Sequence, residues 1–161
     1  MSNPDGRPAA NRRQARIFKY VNVVMRRLLA LPFRTPLSGR LMLLHHIGRK
    51  TGTHYRQPIS YVPDGDTLLT PGGGRWTRNL RDGAPVQLQL RGQHVTARPQ
   101  LIADPDEIDQ LLQVMASRNP ALNRYVPIPR AADGHYDRTI LTQAVTHGFR
   151  LVRWHLDPAT T

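Results

Sequence analysis

Apolar residues in the first third of the chain recur at spacings of three and four: Ile17, Tyr20, Val21, Val24, Leu28 and Leu31. That period lines one face of a helix, so the pattern predicts an amphipathic helix from about Asn11 to Leu31. Arg12, Arg13, Arg16, Lys19, Arg26 and Arg27 surround the stripe, and Pro32 and Pro36 end the helix in a linker. Residues 1–9, with Pro4, Gly6 and Pro8, read as a loose tail. From Leu41 the pattern shortens to strands. Leu41–His46 reads as an apolar strand and Gly48–Thr53 as a glycine-bounded basic loop. Gln57–Val62 and Thr67–Thr70 read as a hairpin across Pro63–Asp64–Gly65–Asp66, whose residues suit a turn. Pro71–Gly74 forms a second glycine loop, and Trp76–Arg81 a short helix stopped at Asp82–Gly83. Val86–Arg91 and His94–Ile102 form another hairpin, joined at Gly92–Gln93. In its first strand Val86, Leu88 and Leu90 alternate with Gln87, Gln89 and Arg91, which predicts one buried and one wet face. Asp104–Pro105 starts a helix reaching about Met115, with Ile108, Leu111, Leu112 and Met115 on one side. Asn119–Gly134, with three prolines, reads as a long loop, and Gly148–Trp154 as a last strand whose residues are too mixed to assign faces. About six strands joined mostly by tight turns predict an antiparallel sheet closed into a small barrel, which removes exposed edges, with two or three flanking helices.

The 161 residues are one domain's worth, and 39 % hydrophobic content supports a buried core. Cysteine is absent, which excludes disulfides, thiolate zinc sites, iron–sulfur clusters and a cysteine nucleophile. No run approaches the ~20 apolar residues that span a bilayer, and Met1–Asn11 carries no apolar signal core, so the expected compartment is the cytoplasm. The net charge of +12 favours an anionic partner. Almost all of the excess is arginine, which suits bidentate phosphate or carboxylate contacts.

Two stretches carry candidate chemistry. In Gly48–Arg49–Lys50–Thr51–Gly52–Thr53–His54–Tyr55–Arg56–Gln57–Pro58, three cations lie beside two glycines. Glycines bring backbone N–H groups close to a ligand, and the cations add charge-assisted hydrogen bonds to a phosphate. Arg49 interrupts any Walker pattern, and a solvated basic turn explains the same residues. In Thr70–Pro71–Gly72–Gly73–Gly74–Arg75–Trp76–Thr77–Arg78–Asn79–Leu80, three glycines precede an indole flanked by arginines. The indole either packs on a planar ligand or anchors the short helix in the core. The histidines show no metal-ligand spacing: His45 and His46 are adjacent on a strand and face opposite sides. No Gly-x-Ser-x-Gly elbow is present. Asp104, Asp106, Glu107 and Asp109 suit a helix start electrostatically.

Leu43–Gly52, then Tyr55-Arg56-Gln57-Pro58-Ile59, Asp64-Gly65-Asp66 and Trp76-Thr77-Arg78-Asn79-Leu80 together resemble the deazaflavin-dependent nitroreductase family. The order and spacing of these motifs carry the likeness, which covers about Leu41 to Ile102, is weaker over the N-terminal helix and fades after Asp104. It implies an α+β, mainly β, split barrel like the FMN-binding barrels, occupying residues 37–157 behind a tail (1–9) and a helix with its linker (10–36). It implies coenzyme F420, a 5-deazaflavin with a phosphodiester and a polyglutamate tail, with FMN as the alternative cofactor. By position, Arg49, Lys50 and Thr51 would hold the phosphate and tail. Arg56, Gln57, Pro58, Ile59 and Ser60 would run along the cofactor, Thr70, Pro71 and Gly72 would offer backbone groups, and Trp76, Arg78 and Asn79 would close the site. The glycine loop is shorter than in some members, so a lysine or serine used there has no clear equivalent here.

The implied reaction is hydride transfer from reduced F420 to an electron-poor acceptor, a quinone or nitroaromatic, by a protein of nitroreductase or quinone reductase type. The catalyst's task is positioning, and no catalytic side chain is identified. Tyr61, Tyr125 and Ser60 are candidate proton donors. The basic N-terminal helix either packs on the barrel or touches an anionic membrane surface, which would make the protein peripheral at the inner membrane. A homodimer is compatible with such barrels. Rival readings are a non-catalytic F420- or lipid-binding barrel and a nucleic-acid-binding barrel; only 6 % aromatic residues and no stacking platform count against nucleic acid.

Overall fold

The computed structural model describes residues 40–72, 75–80, 82–124, 126 and 128–158. The tail and N-terminal helix expected over 1–36 lie outside the described residues, as do Gly73, Gly74, Arg81 and Tyr125. Seven strands form one antiparallel sheet: β1 Leu41–Ile47, β2 His54–Ser60, β3 Val62–Asp64, β4 Thr67–Gly72, β5 Val86–Leu90, β6 Gln93–Ile102 and β7 Arg150–Leu156. Their order across the sheet is β2-β1-β5-β6-β7-β4-β3. The helices are α1 Arg75–Arg78, α2 Pro105–Arg118 and α3 Arg138–Thr146, with a 3₁₀ turn at Pro120–Arg124.

The two ends of that order are consecutive pieces of chain. β2 ends at Ser60 and β3 starts at Val62. Between them Tyr61 is buried, and its N–H donates to the Arg40 carbonyl at 3.0 Å. One bent strand therefore serves both edges, and the sheet curls round to meet itself. β6 makes a second corner. Its Gln93–Ala97 half pairs with β5 and its Ala97–Ile102 half pairs with β7, so only Ala97, fully buried, is shared. Prolines fall where no ladder N–H is needed. Pro58 and Pro63 lie on the edge strands β2 and β3, and Pro99 lies beyond the end of β5's pairing.

The curl creates two cores. Inside the barrel, Met42, Leu44, Ile59, Tyr61, Leu68, Leu80, Leu88, Val152 and Trp154 pack together. Outside it, α2, α3 and the segment between them cover the other face of β4 and β7, burying Leu69, Ile102, Ile108, Leu112, Met115, Leu141 and Leu151. Neighbours such as Leu68 and Leu69, or Leu151 and Val152, thus enter different cores, and these strands are apolar without alternation. For that reason the last strand shows no readable face. The Trp154 indole N–H donates to Thr70 Oγ1 at 3.0 Å in the barrel interior.

Several local expectations need correction. The β5–β6 turn is Arg91–Gly92, one residue earlier than expected, because a two-residue hairpin of this kind needs positive φ at both positions. They stand at φ 50° and 79°. Gln89 is buried rather than wet, because it pairs with the fully buried Leu43 of β1. The long loop contains the 3₁₀ turn, and α3 was missed by the apolar pattern, since Leu141 is its one fully buried residue among the described ones. Its signal was Asp137, which caps the helix by accepting from the Ile140 N–H at 3.0 Å. Asp104 caps α2 in the same way through the Glu107 N–H at 3.0 Å. The other acidic residues of α2 fasten the C-terminal part: Asp106 pairs with Arg138, and Asp109 accepts from the Tyr136 N–H at 2.9 Å and lies 2.7 Å from His135 Nδ1.

The barrel bond and the α2 contact each yield a prediction. Thr70→Val keeps the side chain's shape but leaves the Trp154 N–H unpaired in the interior, with an expected loss of about 1–3 kcal/mol. Urea denaturation checks this, and an unchanged midpoint refutes it. The hydrogen bond to Asp109, followed by the charge of that carboxylate, raises the pKa of His135 above its ordinary 6.5. Burial pushes Asp109 up, but hydrogen bonds from His135, Tyr136 and Gln113 outweigh it and leave its pKa below the ordinary 3.8. The pair's contribution is therefore complete between pH 3.8 and 6.5 and is lost as pH rises through His135's raised pKa or falls through Asp109's lowered one. Thermal melts of the protein and of His135→Ala should differ most within that window and converge above it. A difference that persists unchanged to pH 9 would refute the assignment.

Candidate functional site

A cleft of ≈ 1070 Å³ opens where the two ends of the sheet order meet. One wall is the β1–β2 loop and the strands beneath it: His46 from β1, Gly48 to Thr51 from the loop, and Tyr55 and Gln57 from β2. The other wall is α1 and the turn after it, with Trp76, Arg78 and Asn79. α1 follows β4, so the curl is what sets it against β2.

The loop is shaped by its own bonds. Gly48 N–H donates to the Thr53 carbonyl at 2.8 Å, Gly52 N–H to the Gly48 carbonyl at 2.9 Å, and Thr53 N–H to Thr51 Oγ1 at 3.3 Å. Gly52 sits at φ 66°, where glycine is favoured. A Cβ on Gly48 would come within 2.9 Å of the Tyr55 ring. Across the cleft, a Cβ on Gly72 would come within 2.9 Å of Thr77 Cγ2 and 3.1 Å of the Trp76 ring, so α1 packs against the end of β4 only because that residue has no side chain. Trp76 is half-buried: it packs on the barrel core, as the anchoring role requires, and also lines the cleft.

Asn79 ties the walls together. Its Oδ1 accepts from the Arg49 N–H at 3.2 Å, and its Nδ2 meets His46 Nδ1 at 3.1 Å. Arg49 also donates to the Arg78 carbonyl at 3.3 Å and lies 3.8 Å from Asp82. Both partners of that ion pair are well exposed, so water weakens it and leaves the guanidinium available to another anion. The ring of His46 stacks on Tyr55 with centroids 5.2 Å apart. Burial lowers the pKa of His46 below its ordinary 6.5, partly offset by neighbouring Gln57. Its Nε2 is buried without a hydrogen-bond partner.

Of the expected site residues, Arg49, Lys50, Thr51, Gln57, Trp76, Arg78 and Asn79 come together in this cleft. Arg56, Pro58, Ile59, Ser60, Thr70, Pro71 and Gly72 are not among its lining. Strand alternation turns Arg56 to the opposite face from Tyr55 and Gln57, beside His45, whose pKa is lowered by burial and then by the Arg56 charge. Ile59 lies in the barrel core, and Thr70 is occupied by Trp154. Tyr61, considered as a proton donor, is buried in the barrel core and does not line the cleft, and neither does Ser60. The cleft also includes His46, Gly48 and Tyr55, which the motifs do not mark as site residues. The signal for Tyr55 was its spacing of two from Gln57, which places both on one face of β2.

The lining suits a large, planar, anionic ligand. Arg49, Lys50 and Arg78 supply three positive charges, and the one carboxylate pairing with them among the described residues is Asp82 at the rim. The rings of Trp76 and Tyr55 and the buried Nε2 of His46 complete the site. A cleft of ≈ 1070 Å³ holds a molecule of cofactor size. Among the described residues no cluster of histidine and acidic side chains could hold a metal ion, and no helix is long and apolar enough to cross a membrane.

The sequence matches the family model described as F420H(2)-dependent quinone reductase over residues 13–128. No curated protein matches the sequence. Among solved structures, the fold is similar to a protein of unknown function from Agrobacterium tumefaciens, at 17 % identity and a TM-score of 0.52, covering 98 % of this chain. This chain spans 58 % of the length of that protein. A FAD-binding protein from Mesorhizobium loti (18 % identity, TM-score 0.44, 74 % of this chain and 82 % of that one) and an F420 reductase (14 % identity, TM-score 0.46, 81 % and 91 %) are also similar. The fold is a split β-barrel, mainly β with a few helices.

Proposed function

We propose that this chain, which belongs to the F420H(2)-dependent quinone reductase family, holds reduced coenzyme F420 in the cationic cleft and passes its hydride to a quinone. The observation that carries the reading is the convergence of Arg49, Lys50 and Arg78 on one cofactor-sized cleft, where the one carboxylate pairing with them among the described residues is Asp82. When bound, the cofactor supplies a hydride, that is two electrons and one proton, to an electron-poor ring. A second proton, drawn from solvent, completes the hydroquinone.

The chain's own part is binding and orientation. Arg49, Lys50 and Arg78 hold the phosphodiester and the glutamate carboxylates with charge-assisted bonds. Thr51 Oγ1 already accepts from the Thr53 N–H, which leaves its hydroxyl hydrogen for a phosphate oxygen. Trp76 and Tyr55 give the cleft apolar surface for a flat ring system, while His46 and Gln57 supply polar groups at its base. A flat acceptor lying against that ring system meets the distance that hydride transfer needs without an acid or base from the protein. The same arrangement would serve a nitroaromatic; the family match favours a quinone, and turnover tests the choice.

Fluorescence titration with F420 tests the binding step. The protein should bind it saturably, and Arg49→Glu and Lys50→Glu should each weaken binding on the order of tenfold or more, because a charge-assisted bond is replaced by repulsion. Raising the salt should weaken wild-type binding as well. Equal affinity in both variants, or tight FMN binding with none for F420, overturns the assignment. Oxidation of F420H2 that depends on added quinone tests the reaction.

A further inference from the structure

We propose that His46 is a positioning residue: as the neutral Nε2–H tautomer it accepts from Asn79, and through Asn79 it fixes the Arg49 backbone at the mouth of the cleft. The argument starts at Arg49. Its backbone N–H can only donate, so the atom of Asn79 that it meets at 3.2 Å is the carbonyl oxygen. That fixes the amide's orientation, and Nδ2, a donor, faces His46 Nδ1 at 3.1 Å. A ring nitrogen that accepts carries no proton, so the imidazole hydrogen sits on Nε2. The tautomer is thereby set by a loop residue three positions along the chain, acting through a side chain on the opposite wall.

Protonating His46 would place an N–H on Nδ1, donor against donor. Asn79 could meet it only by turning its amide over, which would set its NH2 against the Arg49 N–H. Either way one of the two links is lost, and with it the register between the loop and α1. Tyr55 and Gln57 face the ring from β2, Arg49 and Lys50 from the loop, and Arg78 from α1; Asp82 reaches the cleft only through Arg49. His45, Arg56 and His94 lie on the other face of the sheet. Burial lowers the pKa of His46 and outweighs a hydrogen bond with Gln57 that raises it.

The role in cofactor binding rests on the function proposed above, but the link between His46 and Arg49 does not, so the two are tested separately. In the cofactor-free protein, nitrogen-15 NMR should show His46 protonated at Nε2 near pH 8. The Arg49 amide signal should move with the titration of His46 as pH falls. His46→Asn, whose short side chain offers Asn79 an oxygen that does not titrate, should hold that signal steady. His46→Leu should show it displaced at every pH. F420 titration should then find wild-type affinity falling toward low pH, a flat profile in His46→Asn, and binding in His46→Leu weakened on the order of tenfold at pH 8. A proton on Nδ1, or an Arg49 signal identical in His46→Leu and wild type, overturns the proposal. An Arg49 signal that behaves as expected in a protein that binds no F420 upholds the positioning link and overturns the cofactor reading instead.

Discussion

A curled sheet has to dispose of its two edges, and this chain does so by making them one strand. The bend at Tyr61, held by its N–H on the Arg40 carbonyl at 3.0 Å, turns β2 into β3. Everything at the candidate site depends on that turn. The β1–β2 loop belongs to one end of the sheet order and α1 follows a strand near the other. On a flat sheet β5, β6 and β7 would stand between them. Closed, they face each other across a single cleft, and Asn79 spans it.

The cleft concentrates positive charge on the least regular part of the backbone. Arg49, Lys50 and Arg78 stand on a six-residue loop and a one-turn helix, neither of which has a ladder of its own to hold it. The loop's internal bonds, the missing side chains of Gly48 and Gly72 and the Asn79 amide supply the rigidity instead. Repulsion among the cations is the cost of the arrangement, and an anionic ligand removes it. Burial lowers the pKa of His46, which favours the neutral ring that can accept a hydrogen bond from Asn79.

The second core follows from the same geometry. β4 and β7 are covered on both faces, by the barrel interior and by α2 and α3. The acidic start of α2 does more than favour the helix dipole. Asp104 caps the helix, while Asp106 and Asp109 tie down Arg138, His135 and the Tyr136 backbone. These bonds fasten the segment between α2 and α3 to α2.

The sequence alone determined that Val86–Leu90 is a strand with a tight turn after it, the start of α2 and the positive loop at Gly48–Thr53, because period, turn chemistry and charge are local properties. It also placed seven of the cleft's lining residues in two short motifs. Tertiary structure decided the rest. Only closure shows that Arg56 turns from the cleft, while Tyr55 and Gln57 turn toward it, since a strand's inner face has no meaning until the sheet curls. Only packing shows that Gln89 is buried, that β7 has two apolar faces and that a nine-residue segment with one fully buried leucine is a helix. The pairing of His46 with Asn79, 33 residues apart, was likewise beyond local reading: a hydrogen bond between distant side chains leaves no periodicity behind.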